Sequence, residues 1–268
     1  MSRDILDLEP PVPDQRLSYG ELPQQFGDLR LPAGPGPHPV VAAIHGGYWR
    51  AQIDLTYYGH LCAALTTLGY ATWNIEYRRV GHAGGGWPGT FLDVAAGVDH
   101  LGALATRFPL DLDRVVLVGH SAGGHLALWN AARRKMPAGD PLGSANPLPL
   151  RGVVSLAGLT DLRRGYEQSL GGAIIERLLG GTPTEQPERY VAASPIELLP
   201  LGVRQVLLHG TADLNVPIEQ STAYAARART AGDQVELFEL PGADHFVIVD
   251  PRTADWQAVP RAIGAVLA

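Results

Sequence analysis

A serine lies where an apolar strand pattern changes into a helical one. Residues 115–118 are Val, Val, Leu and Val, and the pentapeptide Gly-His-Ser-Ala-Gly at 119–123 follows them directly, with Ser121 at its centre. A sharp turn between a strand and a helix exposes a serine hydroxyl and directs the next backbone N–H groups at a carbonyl that the hydroxyl attacks. The pattern therefore predicts nucleophilic catalysis on an acyl group.

Such a serine needs a base, and an acid must hold the base in one tautomer. His245 lies in a tight turn after the last predicted strand and before the last predicted helix, and of the nine histidines it alone has that placement. We therefore expect His245 to be the general base.

Three aspartates are candidates for the acid. Asp213 lies four residues past the end of the preceding predicted strand, and it completes the chain order Ser121, Asp213, His245. Asp161 follows an earlier strand and is an alternative in a variant layout. Asp244 is adjacent to His245, and adjacent side chains in a turn rarely face each other. Asp213 is the expected acid.

The third requirement is a set of donors for the oxyanion. His-Gly-Gly at 45–47 directly follows the first predicted core strand, where backbone N–H groups can face the nucleophile. Gly46 and Gly47 allow close backbone approach, and the N–H groups of Gly47, Tyr48 and Ala122 are the expected donors. We therefore expect an oxyanion hole at Gly46, Gly47, Tyr48 and Ala122.

Strands and helices that would position these groups alternate along the chain. Two short antiparallel strands are predicted within 16–31, and further strands at 40–44, 70–77, 114–119, 151–157, 203–209 and 234–240. Helices are predicted at 57–68, 90–107, 122–135, 218–231 and 254–267. This alternation predicts the α/β class, a mainly parallel sheet with helices on both faces. Ligands of such sheets bind beyond the carboxyl ends of the strands.

The interval 159–200 departs from this alternation. It has no strand pattern and one possible helix, at 173–179. A loop that long in a compact domain is usually a lid or a missed element. We expect a small cap segment over the site, and an ordinary crossover helix with long flanks is the alternative.

Composition narrows the class of protein. With 268 residues, 46% of them apolar, and no linker pattern, the chain is expected to form one domain, 1–268. Its net charge of −6 and scattered basic residues argue against nucleic-acid binding. The single Cys62 cannot form an internal disulfide and fits a reducing compartment. Residues 1–13 lack the apolar stretch of a signal peptide, and no run suits a membrane span, so a cytoplasmic location without membrane contact is expected.

Other patterns suggest no cofactor. The segment 84–89 fits Gly-x-Gly-x-x-Gly, but it begins well past the strand end, and Pro88 lacks an N–H near the expected phosphate. His120 and His125 lack the His-Glu-x-x-His frame of a zinc site. We therefore expect no nucleotide, no metal and no other cofactor. The charged run Glu-Tyr-Arg-Arg at 76–79 is interpreted as a structural ion-pair cluster, with substrate recognition as the alternative.

Together these motifs resemble the hormone-sensitive-lipase-like branch of the α/β-hydrolases and, within it, the kynurenine formamidase (arylformamidase) relatives. The resemblance is carried by His-Gly-Gly-Tyr-Trp at 45–49, Gly-His-Ser-Ala-Gly-Gly at 119–124, Gly-Thr-Ala-Asp at 210–213 with Val-Pro at 216–217, and Asp-His-Phe at 244–246. It implies the α/β-hydrolase fold and a serine hydrolase that uses no metal or organic cofactor.

The substrate side of the prediction depends on aromatic residues. Tyr48 stands where lipase-type members usually carry a third glycine, which is similar to the formamidase side. A bulky Tyr48 beside Trp49 would narrow the acyl pocket and favour formyl, acetyl or other short acyl groups, whereas the alternative is that both rings pack in the core. Trp87, His120 and Phe246 are the remaining candidate substrate-binding residues, and packing is the alternative for Trp87.

Two reactions fit the same predicted residues. The first is hydrolysis of small carboxylic esters through an acyl-serine, and the second is hydrolysis of an aryl formamide such as N-formylkynurenine. A ligand-binding module without catalysis is a third hypothesis, but such modules usually lack a triad member and none is missing here. The expected partner is a small molecule, and an exposed last strand or helix would allow a homodimer.

Overall fold

The computed structural model describes residues 5–136, 142–143 and 146–268. Within these ranges the chain forms one sheet of eight strands, in the order β1-β2-β4-β3-β5-β6-β7-β8. The strands are β1 (Gln15–Ser18), β2 (Phe26–Arg30), β3 (His38–Ile44), β4 (Ala71–Ile75), β5 (Leu110–His120), β6 (Gly152–Leu156), β7 (Arg204–Gly210) and β8 (Val235–Leu240). β2 pairs antiparallel with β1 and β4, and every other pair is parallel. The predicted mainly parallel sheet is confirmed.

Helices cover both faces of this sheet. They are α1 (Gly59–Thr67), α2 (Gly89–Asp99), α3 (Leu101–Leu104), α4 (Ala122–Ala132), α5 (Leu162–Glu167), α6 (Ile174–Leu179), α7 (Pro187–Ala193), α8 (Glu219–Thr230) and α9 (Ala258–Leu267). Successive side chains of a strand point to opposite faces, so Val40 and Ala42 of β3 pack with α2 and α4, whereas Val41 and Ala43 pack with α1 and α9. No helix in the described ranges has both the length and the hydropathy of a membrane crossing.

The predicted helix at 90–107 is two helices, α2 and α3, which meet at His100. The N–H of Ala103 donates to the carbonyl oxygen of His100 at 2.9 Å, a three-residue spacing that tightens the chain at the junction. The helix predicted at 254–267 begins as a single tight turn, Asp255–Gln257, before α9.

Residues 159–200, called the insertion below, contain three short helices, α5 to α7. The possible helix at 173–179 corresponds to α6, whereas α5 and α7, which are similarly short, were not predicted. The insertion is attached to α4, because His125 Nε2 donates to the carbonyl of Ala193 at 2.8 Å and Trp129 Nε1 donates to that of Ala192 at 3.1 Å.

Candidate active site

Ser121 lies in a strained turn between β5 and α4. Its φ of 55° and ψ of −120° belong to a region that L residues rarely adopt. Glycine is required on both sides, because a Cβ on Gly119 would lie 2.1 Å from the carbonyl oxygen of Gly123, and a Cβ on Gly123 would lie 2.0 Å from that of Ile44. The strain is therefore held by close backbone packing, and it presents the serine beyond the strand end.

His245 and Asp213 meet beyond the ends of β8 and β7. His245 Nδ1 lies 2.6 Å from Asp213 Oδ2, and the side chain of Asp213 is fully buried. Asp213 Oδ1 also accepts the N–H groups of Asn215 and Val216, at 2.8 and 2.9 Å. Because Nδ1 donates to a carboxylate, Nε2 is the ring nitrogen that can accept a proton.

The carboxyl group of Asp213 is held in its ionised form. Burial by itself would raise its pKa, but hydrogen bonds from His209 and His245 act in the opposite direction, and the net result is a pKa below the ordinary value. His209 contributes Nε2, which lies 3.4 Å from Asp213 Oδ2. An anion at this position orients the imidazole of His245 and stabilises its protonated form.

The carboxylates of the two alternative acids accept hydrogen bonds from backbone N–H groups close to them in sequence. Asp161 caps α5, and its Oδ1 accepts the N–H of Arg164 at 3.0 Å. Asp244 Oδ1 accepts the N–H groups of Phe246 and Val247. The structure therefore brings Asp213 to His245, as the sequence predicted.

The loop after β3, residues 45–49, places backbone N–H groups beside Ser121 and is called the oxyanion loop below for its predicted role. Within the described residues, the N–H groups of Gly47, Tyr48 and Ala122 donate to no protein acceptor, which leaves them available to an oxyanion. Gly46, which the sequence included in the oxyanion hole for close backbone approach, cannot be a donor there, because its N–H already donates to Tyr57 Oη at 2.7 Å. Glycine at position 46 leaves room for Ser121, since a Cβ there would lie 2.9 Å from Ser121 Cβ.

Ser121 and His245 share one cavity of about 110 Å³. Its lining is mostly apolar, and no Asp, Glu, Lys or Arg is among the described residues that form it: Leu6, Gly47, Tyr48, Ile53, Tyr57, His120, Ser121, Asn215, His245 and Phe246. Tyr48, His120 and Phe246 thus lie where the sequence placed substrate-binding residues. No described residue of the insertion lines this cavity.

Two predicted substrate-binding residues lie elsewhere. Trp49 is fully buried and packs its ring edge-on against His125, with ring centroids 5.1 Å apart. Trp87 packs against Phe91, with centroids 5.3 Å apart. Neither lines the cavity. Trp49 packs in the core and the half-buried Trp87 packs against it, as the packing alternatives expected.

Four lining residues were not predicted: Leu6, Ile53, Tyr57 and Asn215. Asn215 follows the predicted acid by two residues, and that proximity was the one usable sequence signal. Leu6 and Ile53 lie in no periodic element, and Tyr57 was assigned only as the start of a helix. In the described ranges, no group of three or more His, Cys, Asp or Glu side chains is arranged to hold a metal ion.

The charged run at 76–79 forms the expected ion-pair cluster beneath the oxyanion loop. Glu76 Oε1 lies 2.9 Å from an Arg79 guanidinium nitrogen and 3.3 Å from His45 Nε2. Glu76 Oε2 accepts the N–H of Leu55, and Tyr77 Oη donates to the carbonyl of His45 at 2.8 Å. The paired side chains of Glu76 and Arg79 are buried and do not line the cavity. Arg79 also donates to the backbone carbonyl of Ile53, a lining residue, so the cluster fixes the start of the loop and supports one wall of the cavity from behind.

Solved structures of several esterases have the same architecture. A truncated carbohydrate esterase from gut microbiota superposes with a TM-score of 0.80 at 21% identity, covering 94% of each chain. Esterase B from Lactobacillus Rhamnosis superposes with a TM-score of 0.79 at 21% identity, covering 96% of this chain and 88% of that one. The predicted α/β-hydrolase fold is thereby confirmed.

Curated relatives match most of this chain but only part of their own length. Esterase LipC of Mycobacterium tuberculosis is 28% identical over 253 residues, 88% of this chain and 60% of the relative. A probable isoprenylcysteine alpha-carbonyl methylesterase, ICMEL1, of Oryza sativa subsp. japonica is 29% identical over 244 residues, 85% of this chain and 55% of the relative. The chain therefore spans somewhat more than half the length of these relatives.

A family model assigns the chain more directly. The model of the family BD-FAE matches residues 28–227. This range includes Ser121, Asp213 and the oxyanion loop, and it ends before His245. Because the match covers most of the chain, the protein belongs to the BD-FAE family.

Proposed function

We propose that the protein hydrolyses neutral carboxylic esters with short acyl groups through an acyl-Ser121 intermediate. The observation that carries this proposal is that Ser121 shares a small uncharged cavity with His245, and that Asp213 holds His245 in the tautomer a general base requires. The relatives named as esterases and methylesterases support the same reaction class.

Each step can be assigned to a group of this chain. His245 Nε2 takes the proton from Ser121 Oγ as Oγ bonds to the carbonyl carbon, and the N–H groups of Gly47, Tyr48 and Ala122 bind the oxyanion. The protonated imidazole then gives its proton to the leaving alkoxide as the C–O bond breaks. In the second half His245 takes a proton from water as the water oxygen bonds to the acyl carbon. It then gives that proton to Ser121 Oγ as the bond between Oγ and the acyl carbon breaks and the acid leaves.

The cavity favours small and neutral acyl groups. Its volume of about 110 Å³ is below the range of about 300–1,000 Å³ typical of sites for drug-sized ligands. Tyr48 narrows it and is fixed there, because Tyr48 Oη donates to the carbonyl of Asn215 at 2.5 Å. The absence of charged side chains from the described lining gives an ionised acyl group no partner.

Aryl formamides are the second candidate, because formyl is the smallest acyl group and fits the same cavity. The formamidase resemblance of the Tyr48 motif points to this substrate. An amide leaving group makes one further demand, since His245 must protonate the departing nitrogen.

A panel of 4-nitrophenyl esters from acetyl to octanoyl, together with N-formylkynurenine, tests both substrates. We expect kcat/KM to fall steeply with acyl length, and a flat profile would contradict the short-acyl proposal. Negligible turnover of N-formylkynurenine would remove the second candidate.

The nucleophile is tested separately with a fluorophosphonate probe. Wild-type protein should be labelled at Ser121, and Ser121→Ala should lose both the label and ester turnover. Ser155→Ala is the matched control, because Ser155 is also buried at the sheet but lies outside the cavity lining. Folded wild-type protein that takes no label would overturn the acyl-serine mechanism.

A further inference from the structure

His120, the residue before Ser121, is fully buried and hydrogen-bonded at both ring nitrogens. Nε2 lies 2.9 Å from the carbonyl oxygen of His245, and Nδ1 lies 2.8 Å from Tyr57 Oη. A carbonyl can only accept, so Nε2 carries the proton and Nδ1 accepts the hydroxyl proton of Tyr57. Because burial lowers the pKa of His120 well below its ordinary value, the ring is neutral and is held in this one tautomer.

The hydrogen bonds continue beyond Tyr57 to the oxyanion loop. Tyr57 Oη accepts the N–H of Gly46 at 2.7 Å. The sequence of donors thus runs in one direction, from Gly46 N–H through Tyr57 and His120 to the carbonyl of His245. Both ends are backbone groups with fixed roles, and together with a neutral His120 ring they set the direction of every bond between them. We call these four residues the buried relay.

The buried relay joins two loops that come from distant strands. Gly46 follows β3, His245 follows β8, and three strands, β5, β6 and β7, lie between them in the sheet. Burial keeps both side chains of the relay uncharged, because it lowers the pKa of His120 well below its ordinary value and raises that of Tyr57. Neutral groups are what the observed direction of the bonds requires.

We propose that His120 and Tyr57 are positioning residues that hold His245 at a fixed distance from the oxyanion loop. This inference rests on the proposed function, since it concerns the base of that reaction. Asp213 fixes the ring of His245 through Nδ1, whereas the relay fixes the backbone that carries the ring. The rings of His120 and His245 also touch, with centroids 4.6 Å apart. Two independent tethers together determine where His245 Nε2 lies relative to Ser121.

Tyr57→Phe tests the relay by removing one hydroxyl. We expect kcat to fall about 10- to 100-fold, because a small misplacement of a catalytic group has effects of that size, while KM changes less than about threefold. Tyr58→Phe is the matched control: Tyr58 is fully buried beside Tyr57, and its hydroxyl makes only a 3.5 Å contact to the carbonyl of Val118. Equal losses of kcat in the two variants would overturn the proposal.

Two substitutions of His120 provide a rescue experiment. Glutamine in His120→Gln keeps one N–H donor and one acceptor, whereas His120→Leu keeps neither. We expect His120→Gln to retain at least about tenfold more kcat than His120→Leu at similar thermal stability. Equal activities of the two variants would contradict a positioning role.

Nitrogen NMR of the wild-type imidazoles gives a readout that does not depend on turnover. His120 should show a protonated Nε2 and an unprotonated Nδ1 throughout the neutral pH range, and a doubly protonated ring would overturn the relay even if Tyr57→Phe fails to fold. Wild-type protein without ester turnover would instead refute the proposed function.

Discussion

Two histidine–carboxylate pairs lie beyond the carboxyl ends of the parallel strands, and they differ in what the second ring nitrogen faces. In the open pair, His245 uses Nδ1 for Asp213, its ring borders the cavity, and no described protein atom bonds to Nε2. In the sealed pair, His45 Nδ1 lies 2.9 Å from the carbonyl oxygen of Gly46, and Nε2 lies 3.3 Å from Glu76 Oε1. Proton transfer needs an available nitrogen, and the sealed pair has none.

The carboxylates of the two pairs have different partners as well. Glu76 is neutralised by Arg79 and accepts backbone N–H groups of Leu55 and Tyr77. Burial alone would raise the pKa of Glu76, but His45 and Arg79 hold it below the ordinary value. No Arg or Lys is among the groups that bond Asp213 in the described ranges. A histidine and a carboxylate therefore form a structural clamp, a rigid link between two loops, where a guanidinium neutralises the carboxylate. They form a base where the histidine ring faces a cavity.

Asp213→Asn should give the largest effect. The amide cannot reproduce the carboxylate that selects the tautomer of His245, so we expect kcat to fall by about 10⁴-fold, measured on a short-chain nitrophenyl ester. Asp161→Asn is the control, because Asp161 caps α5 away from the cavity, and its kcat should stay within about twofold of wild type. A greater loss of kcat in Asp161→Asn than in Asp213→Asn would move the acid to Asp161.

Glu76→Gln should disrupt the sealed pair and lower the free energy of unfolding. Removing one partner of a buried ion pair leaves an uncompensated charge and costs about 3–5 kcal/mol, which chemical denaturation would measure as a lower free energy of unfolding. Glu197→Gln is the control, because its contact with Arg227, at 3.6 Å, is exposed on both sides and is worth about 1 kcal/mol or less. Similar losses in both variants would show that the sealed pair is not a clamp.

The sequence was sufficient for features that depend on strand ends. Parallel strands bring their carboxyl ends to one edge, so residue type and position after a strand were enough to predict that Ser121, Asp213 and His245 lie close together. The antiparallel pair and the order of elements followed from alternation and turns.

Features that depend on the direction of a side chain were not predictable in the same way. Trp49 and Tyr48 are adjacent aromatics in one motif, yet Trp49 packs in the core and Tyr48 lines the cavity. Gly46 was included in the oxyanion hole, and nothing local showed that its N–H donates to Tyr57. Leu6 reaches the cavity from a distant part of the chain, and a single sequence carries no signal for such a contact.

Another buried histidine, His125, extends the comparison to pH. Burial lowers the pKa of His125 from its ordinary value of 6.5 to about 4. Between pH 6.5 and 4 the imidazole of His125 is therefore protonated in the unfolded chain and neutral in the folded chain. The contribution of the neutral His125 to stability is complete above pH 6.5 and is lost as the pH falls towards 4. The loss is on the order of 3 kcal/mol, because each tenfold difference in proton affinity between the folded and unfolded chains is worth about 1.4 kcal/mol.

Denaturation of wild type and His125→Gln at several pH values would measure this loss. Glutamine does not titrate, so the difference in free energy of unfolding between the two proteins should shrink or reverse in favour of the variant between pH 6.5 and 4. A constant difference in free energy of unfolding across this range would show that folding does not lower the pKa of His125. His120 and the carboxylates are common to both proteins and cancel in the comparison.

Leu6→Ala should give the smallest effect, and it tests which part of the substrate the open side of the site contacts. Leu6 forms part of the cavity wall while 41% of its surface is exposed, so its removal should widen the cavity at modest cost to the fold. For the ester series that extends towards Leu6, we expect kcat/KM of the longer member relative to acetyl to rise about three- to tenfold. This is the lower end of the effect of about 1–3 kcal/mol for one methylene in a pocket, because Leu6 is partly exposed. One series should lengthen the acyl chain and the other the alcohol, and the series that responds identifies the part of the substrate that Leu6 borders. Leu214→Ala is the control, because Leu214 is 98% exposed and outside the lining; a response in neither series, or an equal one in the control, would remove Leu6 from the specificity of the site.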